Sequence, residues 1–378
     1  MNTIYKTTQA KSLLRKQKQV DSWFISCYSM NLFRGCEHNC AYCDGRSEKY
    51  YVHDDFNYEI HVKENAPELL QKELDPKRKR KPLQKSFIFL GGGVSDSYQP
   101  AEERYEITKE VLKVVGTFDF PIHILTKSDL ILRDLELLKH INKKSKVIVS
   151  FSFSTIDEKR AAIFEPGAST SVQRLEAISA IKNAGIDTGI LLMPVIPFLS
   201  DSEEAMFETL SAAKKAGAVF VVFGGMTLKS GRQEAHFLSV VKEHFSDYVS
   251  KIKQLYKGNL WGGATSAYYN ELHMRFFKAA KKSGLPVRIP PSLFVNYVSE
   301  QDRIRILLEH MAYVYDLHKK PHSFLSAAKS IGNLDHGLLH DYEQLKRLPG
   351  IGDVTIRFIK EIIKTSSCNY YESLLYWK

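Results

Sequence analysis

From residue 27 to about residue 224, short apolar runs alternate with amphipathic stretches. The runs are "CYSMNLF" (27–33), "SFIFL" (86–90), "PIHIL" (121–125), "KVIVSFS" (146–152), "TGILLM" (188–193) and "VFVVF" (219–223). They are short and rich in β-branched residues, as strands buried on both faces are. Between them, "EERYEITKEVLKVVG", "SVQRLEAISAIKNAG" and "SEEAMFETLSAAKKAG" carry apolar residues at helical spacing. The last two end on Ala-Gly, with glycine where a helix C-cap needs it. Six strand–helix units of this kind predict parallel pairing with right-handed crossovers, and hence an α/β fold: a partial (β/α)6 TIM-type barrel. In such a barrel the chemistry sits on loops after the C-terminal ends of the strands.

Beyond about residue 234 the period becomes helical throughout, with many charges. The pattern predicts an N-terminal basic segment over 1–26, the partial barrel over 27–233, a helical extension over 234–340 and a helical tail over 341–378. No apolar run approaches the roughly 18–20 residues of a membrane span. The N-terminal stretch lacks the apolar centre of a secretory signal. A cytoplasmic protein with no membrane partner is therefore expected.

The 378 residues hold 44% hydrophobic and 25% charged positions, an ordinary globular balance. The formal charge is +10, which favours a polyanion such as nucleic acid as partner. Of five cysteines, three fall within eight residues, in "RGCEHNCAYCDGR" (34–46). In a reducing compartment such a cluster reads as a metal or redox site. A structural zinc site closes with four ligands. The nearest fourth candidate is His38, and no second CxxC or HxxxH pair exists to complete a zinc module. A [4Fe–4S] cluster held by Cys36, Cys40 and Cys43 leaves one iron open for a substrate or cofactor.

CxxxCxxC after the first strand of a partial barrel, with Tyr42 before the third cysteine, resembles the radical S-adenosylmethionine enzymes. "GVSDS", "TKSD", "SFS" and "FEPGAS…RLEAI…AG…GILLMPVIP" narrow the resemblance to the spore photoproduct lyase branch, the DNA repair photolyase-like proteins, over about residues 27–230. "RGCEHNCAYCDGRSE" and "GMTLKSGRQ" look closer to uncharacterised members of that branch than to the lyases. The resemblance implies that the open iron chelates S-adenosylmethionine, which reduction cleaves to a 5′-deoxyadenosyl radical. An electron donor such as flavodoxin or ferredoxin is then implied as a partner.

By the same resemblance Cys36, Cys40 and Cys43 ligate the cluster and Tyr42 lies by the adenine. Gly91, Gly92 and Gly93 stand where the family places Gly-Gly-Glu beside the methionine amino group; this chain has no Glu there. Ser95 and Asp96 face the ribose or the substrate. Lys127 suits the methionine carboxylate, and Ser152 the same group or the ribose. The plain alternative for Lys127 and Ser152 is a solvated strand end. The lyases' hydrogen-donor cysteine has no counterpart in "GGGVSDS", and Asp44 replaces their relay tyrosine. Dimer reversal by the same route is therefore not expected.

Two basic features lie outside the barrel loops. "DPKRKRKPLQK" (75–85) holds five consecutive basic residues and reads as a solvated loop ahead of a phosphate contact. In "LKRLPGIGDVTIRFIKEIIK" (345–364), Leu348–Gly352 resembles the turn of a helix-hairpin-helix motif. Ile351, Val354, Phe358, Ile359, Ile362 and Ile363 are expected on its apolar face. Gly350, Ile351 and Gly352 would present backbone N–H groups to a phosphate, with Lys346, Arg347, Arg357 and Lys360 beside them. A hairpin used only for packing is the alternative.

The favoured reading is a radical S-adenosylmethionine enzyme acting on nucleic acid, in repair or modification, or on a nucleic-acid-associated substrate. The rivals are the same chemistry on a peptide or small metabolite, and a non-catalytic nucleic-acid-binding protein with a structural metal site.

Overall fold

The computed structural model describes residues 3–50, 55–92 and 95–377. Its strands are β1 (Ile4–Thr8), β2 (Arg15–Asp21), β3 (Ser26–Met30), β4 (Phe33–Arg34), β5 (Glu59–Lys63), β6 (Ile88–Leu90), β7 (Ile122–Thr126), β8 (Val147–Phe153), β9 (Asp187–Val195) and β10 (Val221–Gly225). Seven of these form a curled half-barrel in the order β10-β9-β8-β7-β6-β3-β2. The six expected strands pair in parallel, β3 to β6 through to β10. The helices between them bury their apolar faces on one side of the sheet. Ile122, Ile124, Val147, Val149, Ile190, Leu192 and Val221 meet them there. Each helix is delimited by ordinary chemistry. Glu203–Ala216, for example, starts with the Ser202 hydroxyl accepting from Ala205 N at 3.1 Å and stops at Gly217 with φ +115°.

The alternate residues Ile148, Leu191, Phe220 and Val222 point to the other side of the sheet, a period of two. There they meet not solvent but the C-terminal helices. Glu300–Leu317 is buried on nearly every side, through Ile304, Leu307, Leu308, Met311 and Val314. The tail joins the same cluster through Ile351, Ile356, Ile359, Ile362 and Tyr371. His310 links three distant segments: its Nδ1 meets the Tyr371 hydroxyl at 2.8 Å and its Nε2 the Ser22 carbonyl at 2.8 Å. The 341–377 stretch is thus part of the seal on the half-barrel.

The 1–26 stretch is likewise woven in. β2 pairs antiparallel with β3 at the sheet's edge, and β1 pairs with β5 in a second sheet of order β1-β5-β4. β2 reads Arg-Lys-Gln-Lys-Gln-Val-Asp and buries only Val20, so its pattern carries no hydrophobic signal. Its lysines are what an exposed edge uses against unwanted pairing. Among the described residues no helix is long and apolar enough to cross a membrane.

Burial lowers the His310 pKa to about 3. An unfolded histidine titrates near 6.5. The neutral ring therefore contributes stability that is complete above about pH 6.5 and is lost as pH falls toward 3, at roughly 1.4 kcal/mol per pH unit. In anaerobic denaturant titrations between pH 7 and 5, His310→Gln should reduce the pH slope by about one proton. Tyr371→Phe, which strips His310 of a partner, should cost about 1–3 kcal/mol at pH 7. An unchanged slope would show that His310 is not buried in solution.

Candidate active site

A cavity of about 350 Å³ opens at the C-terminal ends of the parallel strands. Cys36, Cys40 and Cys43 line it from the loop after β4, Gly92, Ser95 and Asp96 from the loop after β6, and Lys127 and Ser152 from β7 and β8. The expected site residues of the barrel, apart from Gly91 and Gly93, thus share one cavity. Gly93 lies outside the described residues.

The cysteine loop is fixed mostly by its backbone. Gly35 has φ +83°, and a Cβ there would meet the Glu59 carbonyl at 2.6 Å, so only glycine allows the loop to lie against the start of β5. Cys36 N donates to Phe56 O at 3.0 Å, Ala41 N to Phe164 O at 2.8 Å, and Gly167 N to His38 O at 3.0 Å. All three thiols are free, and burial pushes their pKa values up, that of Cys40 to about 12. Among the described residues no three His, Cys, Asp or Glu side chains converge on a single ion. A tetrahedral zinc site needs such convergence. A [4Fe–4S] cluster does not, because each thiolate bonds its own iron.

Gly91 lies beside the cavity with φ +135°, and a Cβ there would meet the Leu125 carbonyl at 2.5 Å; Gly92 has φ +90°. Asp96 is buried and its oxygens are engaged. Oδ1 accepts from Tyr98 N and Thr126 Oγ1, both at 2.8 Å, and Oδ2 from Lys127 N at 2.8 Å, with His38 Nδ1 at 3.4 Å. It fastens three loops to one another. Ser152 donates to the Met193 carbonyl at 2.8 Å and accepts from Lys127 Nζ at 3.0 Å, so it aims the lysine. Burial opposes the Lys127 charge, yet Cys40 and Glu165 raise its pKa above the ordinary value.

Beneath these groups lies a network that residue-by-residue reading missed. The Tyr42 hydroxyl donates to Glu165, whose other oxygen accepts from Arg174 Nη2 at 2.6 Å. Arg174 Nη1 donates to Ser152 O at 2.6 Å. Both charges are wholly buried. Burial alone would raise the Glu165 pKa, but Arg174 and Lys127 outweigh it and hold the carboxyl below the usual range. The available signal was charge embedded in apolar spacing, in "FEPGAS" and "RLEAI". On the opposite rim Asp44 accepts from Lys229, Tyr50 and Thr227, and Gln233 Nε2 donates to Tyr42 O at 3.0 Å. "GGMTLKSGRQ" thereby closes over the cysteine loop.

None of the tail residues expected at a phosphate lines this cavity. Gly350 makes the turn with φ +81°, and a Cβ there would meet Ala327 N at 2.5 Å, so its smallness serves packing on Phe324–Gly332. Ile351 is buried, whereas Gly352 is exposed at the start of Asp353–Thr365. Lys346 pairs with Asp353 at 2.9 Å, while Arg347 and Arg357 are exposed. Val354 is 49% exposed, and Ile356 takes its expected place in the core. The rest of the expected face packs inward, with Ile351, Ile359 and Ile362 buried and Phe358 and Ile363 half-buried against the same cluster. In the basic run, Arg78 donates to Glu73 O at 2.6 Å and the other four residues are exposed.

The Radical SAM superfamily profile matches residues 30–210. An uncharacterized protein of Mycobacterium tuberculosis (strain H37Rv) is 32% identical over 234 residues, 61% of this chain and 67% of that one. An uncharacterized protein of Methanocaldococcus jannaschii is 31% identical over 212 residues, 56% of this chain and 74% of that one. Among solved structures, a spore photoproduct lyase complexed with dinucleoside spore photoproduct superposes with a TM-score of 0.54 at 17% identity, covering 74% of this chain and 79% of the lyase. That similarity is one of fold.

Arg174→Met leaves Glu165 buried without its partner and should cost about 3–5 kcal/mol in anaerobic denaturant unfolding. Adding Glu165→Gln should recover part of that loss, since both charges are then gone. A single variant as stable as the wild type would mean that the pair does not hold the loop.

Proposed function

The chain belongs to the radical SAM superfamily, and on that premise we propose that it acts on nucleic acid by radical chemistry at the cavity above β3 and β6–β10. It is a radical SAM enzyme whose cofactors are a [4Fe–4S] cluster and S-adenosylmethionine. Together, once reduced, these supply a 5′-deoxyadenosyl radical. The observation that carries the assignment of residues is the set around one 350 Å³ space: three thiols, two of them buried and one half-buried, a charged lysine and a backbone turn of positive φ.

Cys36, Cys40 and Cys43 would hold the cluster. Lys127, aimed by Ser152, would meet the methionine carboxylate with a charge-assisted hydrogen bond. The backbone at Gly91 and Gly92 would approach the methionine amino group, which a side chain would prevent. Tyr42, held by Glu165, would flank the adenine. Ser95 remains to meet the ribose, whereas Asp96 serves to hold the loops in register.

Nucleic acid as substrate rests on the +10 charge, on the exposed Lys77, Lys79, Arg80 and Lys81 and on the exposed Arg347 and Arg357 of the tail. A solved protein of the same fold was crystallised with a dinucleoside. The chemistry differs from that lyase in the absence of a cavity cysteine beyond the three. Cys27 and Cys368 line no part of the cavity, so a reaction that returned a hydrogen atom to the substrate would need a donor other than a cavity thiol. An external electron donor of the flavodoxin or ferredoxin type would supply the reducing electron.

The deciding experiment is anaerobic reconstitution followed by reduction with S-adenosylmethionine. The wild type should release 5′-deoxyadenosine, and Cys40→Ala should bind neither iron nor sulfide. Lys127→Ala should keep its iron while losing roughly ten- to over a hundredfold in S-adenosylmethionine affinity. A Cys40→Ala protein with a full complement of iron would overturn the assignment.

Arg347→Ala with Arg357→Ala should weaken DNA binding and flatten its salt dependence. Two lost phosphate contacts correspond to a slope change of roughly 1.8 in log K against log salt on duplex. Identical slopes would assign the tail to packing alone.

A further inference from the structure

A second cavity, of about 470 Å³, adjoins the first and shares Met193 and Gly225 with it. Its size falls within the roughly 300–1,000 Å³ of small-molecule sites. Its walls are aromatic: Trp23 from the turn between β2 and β3, Phe223 from β10, Tyr269 from the helix Ser266–Ser283 and Tyr313 from Glu300–Leu317. Each of these lies outside residues 30–210, so the pocket's aromatic walls come from parts of the chain beyond the matched family domain.

Three features suit a flat heteroaromatic ring. The Arg288 guanidinium lies over both Trp23, at 4.8 Å, and Tyr313, at 3.3 Å, and so braces two walls from outside the pocket. Tyr269 is fixed by its hydroxyl, which donates to Met226 O at 3.0 Å, and a Cβ at Gly225 would meet its ring at 2.7 Å. His273 also lines the cavity, packed edge-on against Phe223, and among the described residues neither ring nitrogen has a hydrogen-bond partner. Burial and Arg288 lower its pKa. A neutral imidazole presents one donor and one acceptor.

We propose that this cavity receives a nucleobase of the substrate, stacked among Trp23, Tyr269 and Tyr313 and hydrogen-bonded at its edge by His273. The inference rests on the nucleic-acid reading above. Stacking accepts any base, because every base has a π face, and an imidazole edge open to the cavity adds a preference at the base's edge. The shared wall at Met193 and Gly225 sets the base next to the S-adenosylmethionine site.

The test uses the full chain with Trp261→Phe and Trp377→Phe, so that Trp23 is the sole tryptophan reporter. The protein is reconstituted anaerobically, left unreduced and saturated with S-adenosylmethionine, which keeps nucleosides out of the first cavity. Each common nucleoside, and tyrosinamide as the peptide counterpart, is titrated against Trp23 emission. Anisotropy of a labelled single-stranded oligonucleotide is followed in parallel. At least one nucleoside should quench Trp23 saturably, and His273→Ala and Tyr269→Leu, checked for full iron content, should each weaken it roughly five- to a hundredfold. Oligonucleotide binding without saturable quenching, or with quenching unchanged in both variants, overturns the pocket's role and leaves the nucleic-acid reading standing. Saturable quenching by tyrosinamide alone overturns it in favour of an aromatic peptide. If neither oligonucleotide nor nucleoside binds, both readings fall together.

Discussion

The buried pair of Glu165 and Arg174 is the constraint on which the site's geometry depends. Two charges without solvent are costly unless each finds its full set of partners. Here Glu165 takes Tyr42 and Arg174, and Arg174 takes Ser152 O and the face of Phe153, 4.8 Å from its guanidinium carbon. Those partners come from the cysteine loop and from β8, so satisfying one pair of charges fixes the loop against the sheet. The turn that carries Glu165 also takes the backbone of Ala41 and His38. A loop with so little regular structure needs that outside support to hold three thiols in one arrangement.

The lysine is governed by the same arrangement. Lys127 is half-buried, and partial isolation from water would favour its neutral form. Cys40 and Glu165 reverse that preference, while Ser152 and the Tyr42 ring 5.8 Å away limit where the ammonium can sit. A pre-charged and pre-aimed cation costs little reorganisation when an anion arrives.

The half-barrel was legible because its six parallel strands are buried on both faces, which leaves continuous apolar runs that no helix interrupts. β1, β2 and β5 were not, because edge and short strands bury one residue in two or fewer. The cysteines stood out by their spacing, whereas Gly92 and Lys127 were reached only through the family resemblance. What Asp96 and Ser152 do in the site could not be read. Spacing assigns a side chain to a loop, but only three-dimensional contacts reveal that its oxygens are already taken. Val354 illustrates the same limit in the tail. It shares the helical period of Ile351, Ile359 and Ile362, yet at its own turn Thr355 and Ile356 take the core side and Val354 is left in water.

His310 joins residue 22 to residue 371 across almost the whole chain. During synthesis the strands emerge first and the helices that cover their inner face emerge last. Until the last turn of chain docks, Ile148, Leu191, Phe220 and Val222 face an unfinished interior. Contacts of such large sequence separation close slowly, and the apolar surface stays open to other molecules while they do. The nascent chain thus passes through an interval in which its sheet exists but its interior is still unsealed.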